Sequence, residues 1–299
     1  MRPIPLAPPR IESISWGHKF HTTVDVLRLD GVHPIVSGNK WFKLQYYLSE
    51  AEAQGKKVLL SFGGAFSNHI VALAATARAA GLSSIGIIRG EEPALLSPTL
   101  LDARSEGMDL HFISRTDYRQ KLIPANISER YDLQDIYLIP EGGYGPAGAR
   151  GAATILQTED TSSYTHILAA VGTGTMLAGL ALACGEGQQV IGIPVIKKTD
   201  TLGDEIRAIL PPHRRESFRL IDGYDLGSYA RIAPGLIDFM NGLYAEEGIP
   251  TDFVYTGKLF FVVHDLLQNG RLPAGSRVLI VHSGGLQGNR SLTKGTLIF

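Results

Sequence analysis

Short apolar runs alternate with amphipathic stretches along nearly the whole chain. Runs rich in Val, Ile and Leu at residues 57–62, 84–88, 110–114, 136–140, 166–171, 190–196 and 277–282 predict β-strands. Several are apolar on both faces, the pattern of strands covered by helices on each side. Between them, apolar positions recur at helical spacing and predict helices over 41–54, 68–80, 98–106, 176–184, 202–210, 234–247 and 259–268. The first of these carries Trp41, Leu44, Tyr47 and Leu48. Strand–helix alternation of this kind predicts an α/β fold with mostly parallel sheets. The most apolar stretch, 167–184, is broken by Gly172-Thr173-Gly174-Thr175. It reads as strand, loop and helix rather than a membrane span. There is no internal repeat and no long linker.

Composition sharpens this picture. The chain has 299 residues, of which 34 are glycine and 16 proline, well above the usual share of about 12% for the two together. The glycines do not recur every third residue, which excludes a collagen-like chain. Basic and acidic residues number 28 and 29, a net charge of −1, so no basic stripe points to a nucleic-acid partner. Hydrophobic residues make up 44%, enough for a full core in one large domain or two ordinary ones. The single cysteine, Cys184, lies in an apolar run and reads as a small buried hydrophobe. It excludes an intramolecular disulfide and fits a reducing compartment. Residues 1–10 are proline-rich and lack the apolar core of a signal peptide. A cytoplasmic protein without a membrane segment is expected. Lys197-Lys198 and Arg214-Arg215 read as solvated surface.

Glycine gathers beside polar residues at Ser37-Gly38-Asn39-Lys40, at Gly63-Gly64-Ala65-Phe66-Ser67-Asn68-His69, at Gly172-Thr173-Gly174-Thr175 and at His282-Ser283-Gly284-Gly285. Each of these clusters borders a predicted strand or helix, and open α/β sheets bind ligands at the carboxyl ends of their strands. The remaining glycines are expected in ordinary turns and helix ends. The Gly-Thr-Gly-Thr turn enters a helix, so its free N–H groups, the helix dipole and two hydroxyls suit a phosphate. A plain glycine turn with a threonine cap is the other reading. A nucleotide P-loop is excluded, because its lysine is missing. Gly143-Tyr144-Gly145-Pro146-Ala147-Gly148 matches a dinucleotide fingerprint, but Pro146 stands where that motif needs a free loop, and a lone match is weak. Lys40 opens a helix, where the dipole lowers the pKa of a nearby cation. A partly neutral lysine suits imine chemistry. One such lysine and one phosphate cup together point to pyridoxal phosphate.

With these motifs in order, the chain resembles the pyridoxal-phosphate enzymes related to 1-aminocyclopropane-1-carboxylate deaminase and D-cysteine desulfhydrase, of the tryptophan-synthase-β-like fold. The likeness runs through Gly38-Asn39-Lys40 with Lys43-Leu44, Gly63-Gly64 with Ser67-Asn68-His69, Gly142-Gly143 with Gly148, residues 172–175, Tyr255-Thr256-Gly257-Lys258, and His282-Ser283-Gly284-Gly285. It implies two α/β domains of three layers with the cofactor in the cleft between them. The large domain would be 1–45 plus 150–299, and the small one an insertion at 46–149. It implies Lys40 as the imine lysine that moves protons at the substrate Cα, in preference to Lys43. Asn68 would bind the 3′-oxygen of the cofactor, while Gly172, Thr173, Gly174 and Thr175 would cradle its phosphate. Tyr255 would lie against the pyridine ring, with Thr256 and Ser283 around the ring nitrogen. Ser67 would meet the substrate carboxylate or act in ring opening. Tyr229 aligns with an active-site tyrosine, or is a half-buried structural one. His69 would support Asn68, and His282 would orient its loop. The substrate would be a small amino acid, and the protein a homodimer.

The deaminase pattern has a carboxylate where this chain has Thr256 and a leucine where it has Ser283. A carboxylate beside the pyridine nitrogen would keep it protonated and make the ring a strong electron sink. Neutral hydroxyls suit β-elimination, in which a leaving group removes the charge, so D-cysteine is the lead substrate. Ring opening of 1-aminocyclopropane-1-carboxylate is the alternative. A protein that holds the cofactor without turnover, or a phosphate-ligand enzyme without an imine, are readings of another class. Phe66 and Phe42 stand where the family carries an amide and an arginine. A bulky residue at Gly174 is expected to lower cofactor affinity more than fold stability.

Overall fold

The computed structural model describes residues 4–195, 201–221, 223–224 and 231–299. In chain order the elements are β1 (Arg10–Ser13), α1 (Trp16–Phe20), β2 (Thr23–Arg28), α2 (Asn39–Ala53), β3 (Val58–Gly63), α3 (Asn68–Ala80), β4 (Ser83–Arg89), α4 (Pro98–Ser105), β5 (Met108–Ile113) and α5 (Arg115–Arg119). They continue with β6 (Ile136–Ile139), α6 (Pro146–Ala153), β7 (His166–Val171), α7 (Thr175–Ala183), β8 (Gln189–Pro194), α8 (Leu202–Ala208), β9 (Phe218–Leu220), α9 (Leu236–Glu247), α10 (Thr256–Gln268) and β10 (Arg277–His282). Among the described residues the strands form a six-stranded sheet, β1-β2-β10-β7-β8-β9, and a four-stranded sheet, β5-β4-β3-β6. All pairings are parallel except β1 with β2.

Both sheets are covered on both faces. Along β10, Leu279 and Val281 join a core with Leu177 and Leu180 of α7, whereas Val278 and Ile280 join one with Phe260 and Val263 of α10. Alternate residues of a strand point to opposite faces, so a run apolar at every position serves two cores. In the smaller sheet Leu59 packs against α3, while Leu60 and Phe62 face the opposite core.

Every predicted strand and helix is present, with ends shifted by a residue or a few. Residue 196 of the predicted 190–196 strand, and Lys197-Lys198, lie outside the described residues. The additional elements are short or disguised. In β2 the polar Asp25 breaks the apolar run, yet it is buried and accepts a 2.6 Å hydrogen bond from Tyr164. Helix α6 reads as a loop because of its proline and glycines. Pro146 takes its first turn, where a missing N–H costs nothing. A Cβ on Gly151 would overlap the carbonyl oxygen of Phe42 in α2, and one on Gly179 of α7 would lie 2.7 Å from the carbonyl oxygen of Ala149. These helix-interior glycines correct the expectation that the rest serve turns and ends: they let α2, α6 and α7 cross at close range.

The register brings the glycine loops together. Arg28 of β2 pairs with His282 of β10, so the chain leaves both strands side by side. Leu29 N–H donates to the His282 carbonyl (3.2 Å), Gly38 N–H to that of Leu29 (3.0 Å), and Asn39 N–H to that of Ser283 (3.1 Å). Lys40 is thereby set beside Ser283.

Candidate active site

A cavity of about 800 Å³ opens at the carboxyl ends of both sheets and is lined by Lys40, Ser67, Asn68, Thr173, Tyr255 and Ser283 together with their loops. Of the residues expected there, Gly172 and Gly174 also line it. Thr175 and Thr256 do not, being fully buried. Tyr229 lies outside the described residues.

Two lysines share the cavity. Lys40 Nζ donates to Asn39 Oδ1 at 2.7 Å, and Lys43 Nζ to the Gly142 carbonyl at 2.7 Å. Burial pushes the Lys40 amine down to about 8, against the attraction of Asp252. Burial and the neighbouring Lys40 charge hold Lys43 well below the ordinary lysine value. His69 is likewise held well below an ordinary imidazole by burial and both lysines. Its Nε2 meets Ser61 Oγ at 2.9 Å and its Nδ1 has no partner.

The wall behind Tyr255 is organised by a carboxylate that sequence reasoning missed. Asp252 is buried and accepts the N–H groups of Val254 (3.0 Å), Tyr255 (2.9 Å) and Thr256 (2.8 Å), and the Thr256 hydroxyl (2.7 Å). It ties down the turn that leads into α10, and an aspartate a few residues ahead of a helix, where its carboxylate can take turn N–H groups, is the sequence signal that could have found it. The Thr256 hydroxyl is therefore committed to Asp252 rather than turned to the cavity. Lys258 donates to the Val195 carbonyl at 2.9 Å. His282 is buried, with Nε2 at 2.7 Å from the Pro250 carbonyl and Nδ1 taking the Gly284 N–H at 3.3 Å. It orients its loop.

The lining fits pyridoxal phosphate. A Cβ on Gly172 would stand 3.1 Å from the Tyr255 ring, so the ring lies flush with the phosphate turn. Thr173 is exposed to the cavity and its hydroxyl is 3.2 Å from that of Thr175. The turn opens α7, whose N–H groups and dipole favour an anion. Asn68 Oδ1 is buried without a partner, an acceptor that the proton of a bound ring hydroxyl would satisfy. Ser67 caps α3, accepting Ile70 N–H at 3.4 Å, and still lines the cavity. Phe66 is 42% exposed against the cavity, whereas Phe42 is buried in the core.

Gly174 requires a correction. Its φ is +80°, and a Cβ there would overlap Ile206 of α8. A bulky residue is thus expected to cost fold stability as well as cofactor affinity. Gly174→Val should destabilise the cofactor-free protein by at least about 2 kcal/mol, read from the urea midpoint. An unchanged midpoint would restore the earlier expectation.

Sequence reasoning also missed Arg89, Arg115, Arg119 and Glu141 on the lining. Arg89 ends a strand, the position from which parallel sheets present ligand-binding groups.

The chain belongs to the family of pyridoxal-phosphate dependent enzymes, whose sequence profile matches residues 10–284. A Pyrococcus horikoshii protein provisionally named 1-aminocyclopropane-1-carboxylate deaminase is 30% identical over 306 aligned positions, covering 94% of this chain and 93% of that protein. The mitochondrial bifunctional D-cysteine desulfhydrase/1-aminocyclopropane-1-carboxylate deaminase of Arabidopsis thaliana is 26% identical, over 85% of this chain and 70% of its own. The crystal structure of a homologue of that deaminase superposes with a TM-score of 0.83 at 25% identity, covering 96% of this chain and 92% of that one. The fold is that of the tryptophan-synthase-β-like enzymes, and the chain is a pyridoxal-phosphate dependent enzyme. Among the described residues no helix is long and apolar enough to cross a membrane.

Proposed function

We propose that this enzyme eliminates the β-substituent of a small α-amino acid, with D-cysteine as the first substrate to test. With water, D-cysteine would give pyruvate, ammonia and sulfide. The observation that supports elimination is that Glu141, held by Lys121, is the carboxylate on the cavity lining among the described residues. Ser283 lines the cavity with a hydroxyl side chain, and Asp252 is buried with its oxygens engaged by Val254, Tyr255 and Thr256. Without a carboxylate at the ring nitrogen, a reaction that expels its charge on a leaving group is favoured over opening a cyclopropane.

When bound, the cofactor supplies an electron sink that acidifies the substrate Cα–H. In this reading Lys40, with its amine near 8, has a neutral fraction at physiological pH and takes that proton. Lys43 keeps a second amine close by, anchored on Gly142. Thr173 and the N–H groups of the 172–175 turn carry the phosphate, and Asn68 binds the 3′-oxygen. Ser67 receives the substrate carboxylate. The small domain, 46–149, would close on the large one, 1–45 with 150–299, and exclude water. The protein would work as a cytoplasmic homodimer, in keeping with its free, buried Cys184.

Sulfide and keto acid should appear when the holoenzyme is given D-cysteine, with less of both or neither from L-cysteine, and less keto acid or none from D-serine or 1-aminocyclopropane-1-carboxylate. Turnover of the cyclopropane substrate alone would replace elimination by ring opening, as the names of the relatives would have it. Product from none of them, with the cofactor bound, would leave a binding protein.

A further inference from the structure

Arg89, Arg115 and Arg119 line the same cavity as Lys40. Arg89 ends β4 and pairs in register with Ile113, the last residue of β5. Gly90 N–H donates to the Ile113 carbonyl at 2.8 Å, so the chain leaving β5 brings Arg115 close to Arg89. Arg119 follows one turn later on α5, its Nε donating to the Arg115 carbonyl at 3.3 Å. Gly64 faces this wall: a Cβ there would be 3.6 Å from the Arg89 guanidinium.

Among the described residues no ion pair neutralises the charge on this wall. Glu141 is the carboxylate on the lining, and it is held by Lys121 and hydrogen-bonded to Tyr118. The Arg89 guanidinium stacks over the Tyr118 ring at 5.7 Å. Among the described residues no carboxylate forms an ion pair with Arg89, Arg115 or Arg119. Arg115 and Arg119 are like charges at i and i+4, a spacing that weakens a helix. An oxyanion entering the cavity would relieve that repulsion and meet the fork geometry of guanidinium groups.

The position separates this anion from the others. The phosphate turn follows β7 in the larger sheet, and Ser67 follows β3. In the order β5-β4-β3-β6, Arg89 lies one strand and Arg115 two strands outward from Ser67, about 5 and 10 Å at the usual strand spacing. A carboxylate held at Ser67 leaves that outer wall to the substrate's side chain. We propose that Arg89, Arg115 and Arg119 recognise an oxyanion on that side chain. The preferred substrate is then an α-amino acid whose β-leaving group is itself an oxyanion, departing as phosphate or sulfite, or one that keeps a carboxylate next to a separate β-leaving group. This deepens the eliminase reading and rests on it, with D-cysteine as an uncharged member of the accepted class.

Binding to the holoenzyme can be read from the change in its cofactor absorption, using pairs matched except for charge: O-phosphoserine with O-methylserine, and aspartate with asparagine, each as D and L forms. In the wild type the charged member should bind at least about ten-fold more tightly at low salt. That ratio should fall to within about two-fold in Arg89→Gln/Arg115→Gln and recover in part in Arg89→Lys. Because the ratio is taken within one protein, a general loss of folded enzyme cancels. A ratio near one in the wild type, or one unchanged in the variants, overturns the proposal. An equal loss for charged and neutral members would assign the arginines to the α-carboxylate and overturn it too. Turnover of D-cysteine and of the cyclopropane amino acid is measured alongside. If neither reacts while the charge preference is present and arginine-dependent, the proposed reaction fails and the arginine site stands.

Discussion

Replacing Lys40 by methionine should remove the near-visible absorption of the bound cofactor and lower activity by at least about 10³-fold, within the range for loss of a general acid–base group. The same variant should make the cofactor-free protein more stable. In the folded chain burial pushes the Lys40 amine down to about 8, whereas an unfolded lysine titrates near 10.4. Below pH 8 folding must bury a cation, and the full penalty is present. Between the two values the unfolded chain binds more protons than the folded one, so stability rises with pH, and above both the penalty is gone. Methionine removes it, so the gain should be on the order of 2–3 kcal/mol at pH 7 and shrink toward zero as pH approaches 10.5. Urea unfolding of both cofactor-free proteins at several pH values measures this. A gain that does not change with pH would mean that the amine is not held down by burial. In the wild type, cofactor uptake should quicken as pH rises through about 8, because the neutral amine is the nucleophile.

Gly38→Ala should be the most damaging small substitution in the site. Gly38 has φ +65°, and a Cβ there would overlap the Ser283 carbonyl oxygen and lie 2.8 Å from the Gly284 Cα. Gly55 is the control: its φ is +64° and nothing lies within 4 Å of its Cβ position. Gly55→Ala should cost about 1 kcal/mol, the strain of a left-handed residue. Gly38→Ala adds a backbone collision, bringing the loss above about 3 kcal/mol. It should also separate Lys40 from Ser283, because the two loops cross at Gly38. The expected result is weak cofactor binding even at temperatures where the variant is folded. Equal midpoints for the two variants in urea would show that the crossing relaxes at little cost.

The glycine loops were legible because each joins a periodic apolar run at a strand or helix end. Lys40, Ser67, Asn68, Gly172, Thr173, Gly174 and Ser283 lie in such loops, the roles of Ser67, Asn68 and Tyr255 come from the family resemblance, and all eight line one cavity. Thr256 was named from its place in a motif, and its hydroxyl instead serves Asp252, because hydrogen-bond direction depends on which buried partner comes within reach. Helix α6 was illegible for a related reason. Proline and glycine report local propensity, whereas Gly148 and Gly151 are selected by neighbouring backbone, that of Gly143 and Phe42.

The alternation of apolar runs by itself determined an α/β chain with parallel sheets, since strands apolar on both faces must be covered twice. Residue types at the strand ends determined a lysine and an anion cup, and hence the cofactor class. Register and strand order decided the rest. Only the pairing of β2 with β10 sets Lys40 against Ser283, and only the order β5-β4-β3 places the chain ends that carry Arg89 and Arg115 outward from Ser67. These are contacts between residues far apart in sequence, and periodicity, a property of neighbours along the chain, carries no information about them.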